Sequence, residues 1–158
     1  FYSLSKSFNL TGARISFVVG NKQIINKLKV FRSQIDYGVF LPVQYAAIAA
    51  LTGPLDVVEE QRQEYEKRNK MLCGGLRSIG WDVPDSQGTM FVWAKIPGKY
   101  KSSVEFCLDL MEKTGVIVTP GNAFGSRGEG YVRMALVVGE ETISELLSVL
   151  EESNIFSK

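Results

Sequence analysis

The sequence contains no histidine among its 158 residues. That absence removes Ser-His and Cys-His triads, most zinc sites and ordinary imidazole acid-base catalysis, so any chemistry falls to lysine, tyrosine, a carboxylate or a cofactor. Cysteine is scarce as well: Cys73 and Cys107, the only two, match neither a zinc knuckle nor a disulfide framework and are expected as small side chains within helices. No metal site is expected. An excess of one charge is also missing, because 18 basic against 17 acidic residues leave a formal charge of +1. This balance gives no electrostatic footprint for nucleic acid or an anionic membrane and favours small neutral or zwitterionic partners. No apolar run approaches the roughly 18 residues that span a bilayer, and the N-terminus lacks the charged-then-apolar pattern of a signal peptide. A soluble, cytoplasmic protein is the expectation. Internal repeats and low-complexity segments are absent.

What is present is an apolar content of 45%, enough for one sizeable core or for a small domain plus a piece of another. Residues 1–5 read as the end of a strand, "RISFVVG" (14–20) as a second strand and "NKQIINKLKVFRSQI" (21–35) as an amphipathic helix. "VQYAAIAALTG" is an alanine-rich helix ended by Gly53 and Pro54, and its small side chains suggest tight burial. Residues 55–79 form one long, charged amphipathic helix of the kind that bridges domains. Beyond it come a short strand near "WDVP", a strand over 89–96, a helix over 103–115, a strand "VIVTP", the glycine-rich "GNAFGSRGEG", a strand "YVRMALV" and a closing helix "EETISELLSVLEES". Helices alternating with strands make an α/β fold. Residues 1–53 and 54–158 are expected as separate parts. Trp81, Trp93 and the phenylalanines are expected in the core.

The stretch "SLSKSFNLTGAR" (3–14) brings a lysine, hydroxyls and an arginine together. An unperturbed lysine is neutral only about once in 2,000 molecules at pH 7, so one that forms an imine needs burial or a nearby cation. Arg14 is a candidate cation for Lys6. Ser3 and Ser5 flank Lys6, while Asn9, Thr11 and Gly12 permit a turn that returns Arg14 beside them. Hydroxyls, a guanidinium and turn amides suit a phosphate dianion, and an amine beside such a cluster is what a pyridoxal phosphate site requires. The alternative is an exposed lysine and an ordinary surface cation.

"SLSKSFNLTGARISFVVG" closely resembles the lysine motif of the class I/II pyridoxal-phosphate aminotransferases of fold type I. "DYGVFLPVQYAAIAAL", "GTMFVWAKIP" and "TPGNAFGSRGEGYVRMALV" resemble the same family in the same order. The resemblance implies the C-terminal part of that fold, about two-fifths of a full enzyme: residues 1–53 as the remnant of the large cofactor-binding domain, 54–158 as the small C-terminal α/β domain. It implies pyridoxal 5'-phosphate as cofactor, Lys6 as the Schiff-base lysine, and Ser3 and Arg14 at the cofactor phosphate; the Ser5 hydroxyl beside them is expected as a further cofactor-binding group. Tyr37 falls where family members often reach across to the neighbouring subunit's cofactor, which implies a homodimer for the full-length enzyme. The family's ring-stacking aromatic, its asparagine and tyrosine at the ring oxygen, and its aspartate at the pyridine nitrogen belong to an earlier segment that this chain does not contain.

A second arginine, Arg133, sits in "YVRMALV", where alternation puts Tyr131, Arg133, Ala135 and Val137 on one face and Val132, Met134 and Leu136 on the other. A guanidinium in an apolar strand needs a carboxylate, and Glu129 or Glu140 could supply it from within the protein. The resemblance implies the other source: Arg133 matches the arginine that binds the substrate α-carboxylate.

The activity so implied is transfer of an amino group between an L-amino acid and a 2-oxo acid, with closest likeness to bacterial aspartate, alanine or diaminopimelate-type members. Two alternatives share the motif. One is elimination, as in C–S lyases or aminocyclopropane-carboxylate synthases. The other is an aminotransferase-like effector domain of a transcription regulator, whose lysine-to-arginine turn is commonly shorter and contains proline; the eight-residue step and "NLTG" here favour an enzyme. The chain by itself is expected to be an inactive fragment.

Overall fold

The computed structural model describes residues 1–156, and their contacts group into two compact units that meet within one helix, Phe1–Gln61 forming the first and Arg62 beginning the second. The sequence analysis expects parts 1–53 and 54–158, the second led by this same linking helix.

In the first unit, strands β1 (Tyr2–Ser3) and β2 (Ser16–Phe17) pair antiparallel, with Tyr2 opposite Phe17 and Ser3 opposite Ser16. Between them the chain makes a helical turn, α1 (Leu4–Ser7), and a 3-10 turn at Thr11–Ala13. The expected strand end around Lys6 is thus a helix start. Ser3 is extended and its hydroxyl accepts from the Ser5 amide, so a serine ahead of a short polar run acts as an N-cap. Helix α2 (Lys22–Ser33) is capped by Asn21, whose side chain accepts from the amides of Gln23 and Ile24. Helix α3 (Leu41–Thr52) buries Ala47 alone. Its small side chains do not mark tight burial in this chain, because Tyr45, Ile48 and Leu51 stand exposed beside them.

Helix α4 (Asp56–Ser78) passes from the first unit into the second. Its buried residues Asn69, Leu72, Cys73 and Leu76 recur at one-turn spacing and form a single stripe. They meet a three-stranded antiparallel sheet of order β3-β5-β4, built from β3 (Phe91–Lys95), β4 (Thr119–Pro120) and β5 (Tyr131–Ala135). Helix α5 (Ser103–Thr114) supplies Phe106 and Leu110 to the same core, and α6 (Glu140–Glu152) supplies Ile143 and Leu150. The sheet's inner face is Val92 and Ala94 of β3 with Val132 and Met134 of β5.

Trp81–Pro84 carries no strand. Trp81 and Val83 point inward while Asp82 and Pro84 are exposed, so the alternation in "WDVP" comes from burial without ladder pairing. Trp81 stacks on Phe156 at 4.7 Å and meets Phe106 edge-on, and these three are core as expected. Trp93 and Phe124 are not: they lie 39% and 50% exposed, Trp93 because it alternates to the outer face of β3. Phe1, Phe31 and Phe40 are exposed too, all in the first unit. Among the described residues no single helix is long and apolar enough to cross a membrane.

Candidate active site

The first unit gathers the residues around Lys6 by hydrogen bonding within a short loop. Ser3 Oγ and Ser5 Oγ lie 2.9 Å apart, and Ser3 Oγ also comes within 3.5 Å of the Ile15 carbonyl. Thr11 Oγ1 donates to the Ser5 carbonyl at 3.0 Å, tying the returning turn to the lysine helix. That turn needs two left-handed residues, Asn9 (φ 51°) and Arg14 (φ 52°). Asparagine tolerates this conformation, whereas it is uncommon for arginine. Its Nη1 donates back to the Thr11 carbonyl at 3.2 Å. Among the described residues Arg14 has no carboxylate partner.

Gln61, which no sequence pattern marks out, completes this loop from α4. Its side-chain amide is 3.3 Å from the Lys6 carbonyl and 3.2 Å from Asn9 Oδ1, so it can donate to both. Lys6 itself is exposed, so the burial an imine-forming lysine needs is not supplied by this chain. Tyr37 stands fully exposed beside a turn in which Asp36 accepts from the Gly38 amide and pairs with Arg32 at 2.6 Å.

Arg133 belongs to the second unit and is described there. It is half-buried on the outer face of β5, directly opposite Trp93 in the sheet register. Both candidate internal carboxylates are engaged elsewhere. Glu129 Oε1 accepts from the Ser103 amide at 2.6 Å and the Gly130 amide at 2.8 Å, at the N-terminus of α5. Those bonds, the one from Ser103 foremost, hold its carboxyl below the usual glutamate range. Glu140 pairs with Lys67 at 2.6 Å. What flanks Arg133 instead is aromatic: its guanidinium carbon lies 4.2 Å from the centroid of Phe91 and 4.5 Å from that of Phe124. Among the described residues none accepts a hydrogen bond from it. Sequence reasoning missed both rings, although the alternation that placed Arg133 on the outer face also placed Phe91 and Trp93 on the outer face of β3.

The family described as aminotransferase class I and II matches residues 1–150. The chain belongs to this family. Its aminotransferase relatives include the LL-diaminopimelate aminotransferase of Halothermothrix orenii, 48% identical over 98% of this chain and 40% of the relative. Another is the Escherichia coli glutamate-pyruvate aminotransferase AlaC, 42% identical over 93% of this chain and 36% of that protein. Among solved structures, an aminotransferase from Staphylococcus aureus superposes with a TM-score of 0.92 at 32% identity, covering 99% of this chain and 42% of that one. Substrate-bound BacF from Bacillus subtilis gives 0.91 at 35%, covering 98% and 39%. The fold is therefore part of the fold type I aminotransferase architecture, and the chain spans about two-fifths of the length of the relatives it matches.

Aminotransferases of this family use pyridoxal phosphate, and the donor set of the first unit fits its phosphate end. Two hydroxyls lie within 3 Å of each other, and the Arg14 guanidinium, which among the described residues has no carboxylate partner, follows on the next turn. Serine hydroxyls and arginine are the side chains that hold a phosphate dianion through directed hydrogen bonds. Among the described residues no group of histidine, cysteine or carboxylate side chains could hold a metal ion.

Proposed function

We propose that this chain is the C-terminal part of an enzyme that transfers an amino group between an L-amino acid and a 2-oxo acid with pyridoxal phosphate. Lys6 is the amine that anchors the cofactor, and its Nζ then carries the proton taken from the substrate Cα. Ser3, Ser5 and Arg14 hold the phosphate. Bound pyridoxal phosphate supplies the electron sink for the charge left on Cα. Arg133 receives the substrate carboxylate through its planar pair of N–H donors. On this reading residues 1–53 end the large cofactor domain and 54–158 are the small domain. Tyr37, fully exposed here, contacts the cofactor of a second subunit in a cytoplasmic homodimer. The relatives' names favour glutamate, alanine or diaminopimelate as amino donors. Because the relatives named above are aminotransferases, elimination and a regulatory effector role are not favoured.

The observation that carries the reading is Arg133: a half-buried guanidinium whose two candidate internal carboxylates, Glu129 and Glu140, are committed to other partners. Two variants of the full-length enzyme test it. Arg133→Lys keeps the charge and loses the planar fork, so KM for amino and oxo acids should rise roughly tenfold to a hundredfold with the unfolding temperature nearly unchanged. Lys6→Ala should lose the visible absorbance of lysine-bound cofactor and roughly 10²–10⁴ in kcat. A Lys6→Ala protein with wild-type absorbance, or an Arg133→Lys enzyme with lowered stability and unaltered KM, would overturn it.

A further inference from the structure

We propose that Phe91 and Phe124 are positioning residues for Arg133, holding its guanidinium by their ring faces so that its N–H donors stay free for a substrate carboxylate. This rests on the substrate role of Arg133 proposed above. A cation over a ring is stabilised by the ring's quadrupole, and the ring has no lone pair with which to engage the N–H groups. An internal carboxylate would also hold the arginine, but it would occupy the same donors that a substrate needs. Ring contacts order the side chain and leave its hydrogen-bonding edge available, so less freedom is lost when a carboxylate binds.

The loop that carries Phe124 is built to fix that ring. Gly121 and Gly128 cross so closely that a Cβ on either would collide with the other's carbonyl oxygen. Gly125, next to Phe124, sits at φ 113°, where side chains are disfavoured. Phe124 is braced from the sheet by Trp93, edge-on at 5.7 Å, and Trp93 in turn stacks on Tyr131. Phe91 comes from β3, two residues before Trp93 and on the same face. The two rings thus reach Arg133 from different elements, Phe91 from β3 and Phe124 from the glycine-rich loop.

The test uses the full-length, cofactor-loaded enzyme, with L-glutamate as amino donor and glutarate, which has its carboxylates without the amino group, as a calorimetric probe. Phe124→Leu and Phe91→Leu should each raise KM for L-glutamate and Kd for glutarate about threefold to tenfold, with kcat changing less than KM. Phe124→Tyr, which keeps a π face, should stay near wild type in both. A fluorinated phenylalanine at position 124 keeps the ring's shape and removes its negative face, so it decides the matter even where a leucine variant does not fold: a raised Kd supports the proposal and an unchanged Kd refutes it. Wild-type KM and Kd in Phe124→Leu, alongside raised values in Arg133→Lys, would refute the aromatic clamp and leave the carboxylate role standing. Unchanged values in Arg133→Lys as well would remove the carboxylate role and the clamp with it. Equal weakening by Tyr and Leu would show that shape and not the π face matters, which also overturns it.

Discussion

The two units of this chain differ most in what they bury. The second encloses one continuous core, from Leu72 and Leu76 of α4 through the inner face of the sheet to Phe106, Ile143 and Phe156. The first buries Leu4 and Ala47 and leaves Val30, Phe31, Phe40, Tyr45 and Ile48 exposed. Exposed apolar side chains on that scale mark a surface made to be covered. Both units carry many apolar side chains, but only the second finds a counterpart for them within the same stretch of chain. The first unit shows the burial expected of part of a larger domain, in keeping with relatives more than twice as long and with the proposed reading of residues 1–53.

The most direct way to break that comparison is to separate the parts. A polypeptide from Leu55 to the C-terminus keeps all of α4 and the whole core, and should unfold cooperatively by circular dichroism. Residues 1–54 alone should show no cooperative transition, since their helices of 12 residues are marginal in water without packing. A sharp unfolding transition from 1–54 would show that the first unit stabilises itself.

Legibility in the sequence follows the same division. The second unit's helices lie within a few residues of expectation, the one at 103–115 being Ser103–Thr114 and the closing one Glu140–Glu152, whereas the strand expected at "WDVP" does not form and that at "VIVTP" is reduced to Thr119–Pro120. Their periodicity and their caps are local, with Ser102 accepting from the Glu105 amide and Gly115 left-handed at the end. Burial was not local. The small residues of α3 read as buried because nothing in a helical pattern says whether a covering layer lies in the same segment. Trp93 read as core because large aromatics usually are, whereas the strand's alternation sends it outward beside Arg133. At the site, the Lys6 turn was legible as a motif, and its fastening by Gln61 was not, because that contact joins α4 to a loop far earlier in the chain. The rings over Arg133 were hidden for the same reason: they come from β3 and from the glycine-rich loop, and only the folded sheet and loop bring both to the guanidinium.

Glycine substitutions sharpen the contrast at an intermediate scale. Gly128→Ala places a Cβ against the Gly121 carbonyl, a backbone clash that no rotamer relieves, and should cost about 1–3 kcal/mol. Gly12→Ala, in the first unit's loop, meets nothing within 4 Å and should stay within about 0.5 kcal/mol of the parent. Denaturant unfolding of the two variants checks this. Equal costs would mean that the glycine-rich loop is no more tightly fixed than the lysine loop.

The smallest effect concerns acid, and it asks whether the second unit fixes its own loop without help from the first. Glu129 accepts two backbone amide bonds at the start of α5, and its carboxyl is held below the ordinary value by the Ser103 bond first and the Gly130 bond second. A carboxylate with a lowered folded-state pKa binds protons less readily than in the unfolded chain. Its contribution is therefore fully present above about pH 4.3, the ordinary glutamate value, and is lost as pH falls through the lower folded value. Glu129→Gln should then unfold about 1–3 °C below the parent at pH 7, with the gap closing below about pH 4. The same closing gap should appear in the polypeptide that begins at Leu55, since every bond to Glu129 comes from within the second unit. A gap that stays constant from pH 7 to pH 3 would mean that the glutamate acts through its shape alone. A gap present in the whole chain and absent from the shorter one would mean that the loop carrying Glu129 depends on the first unit after all.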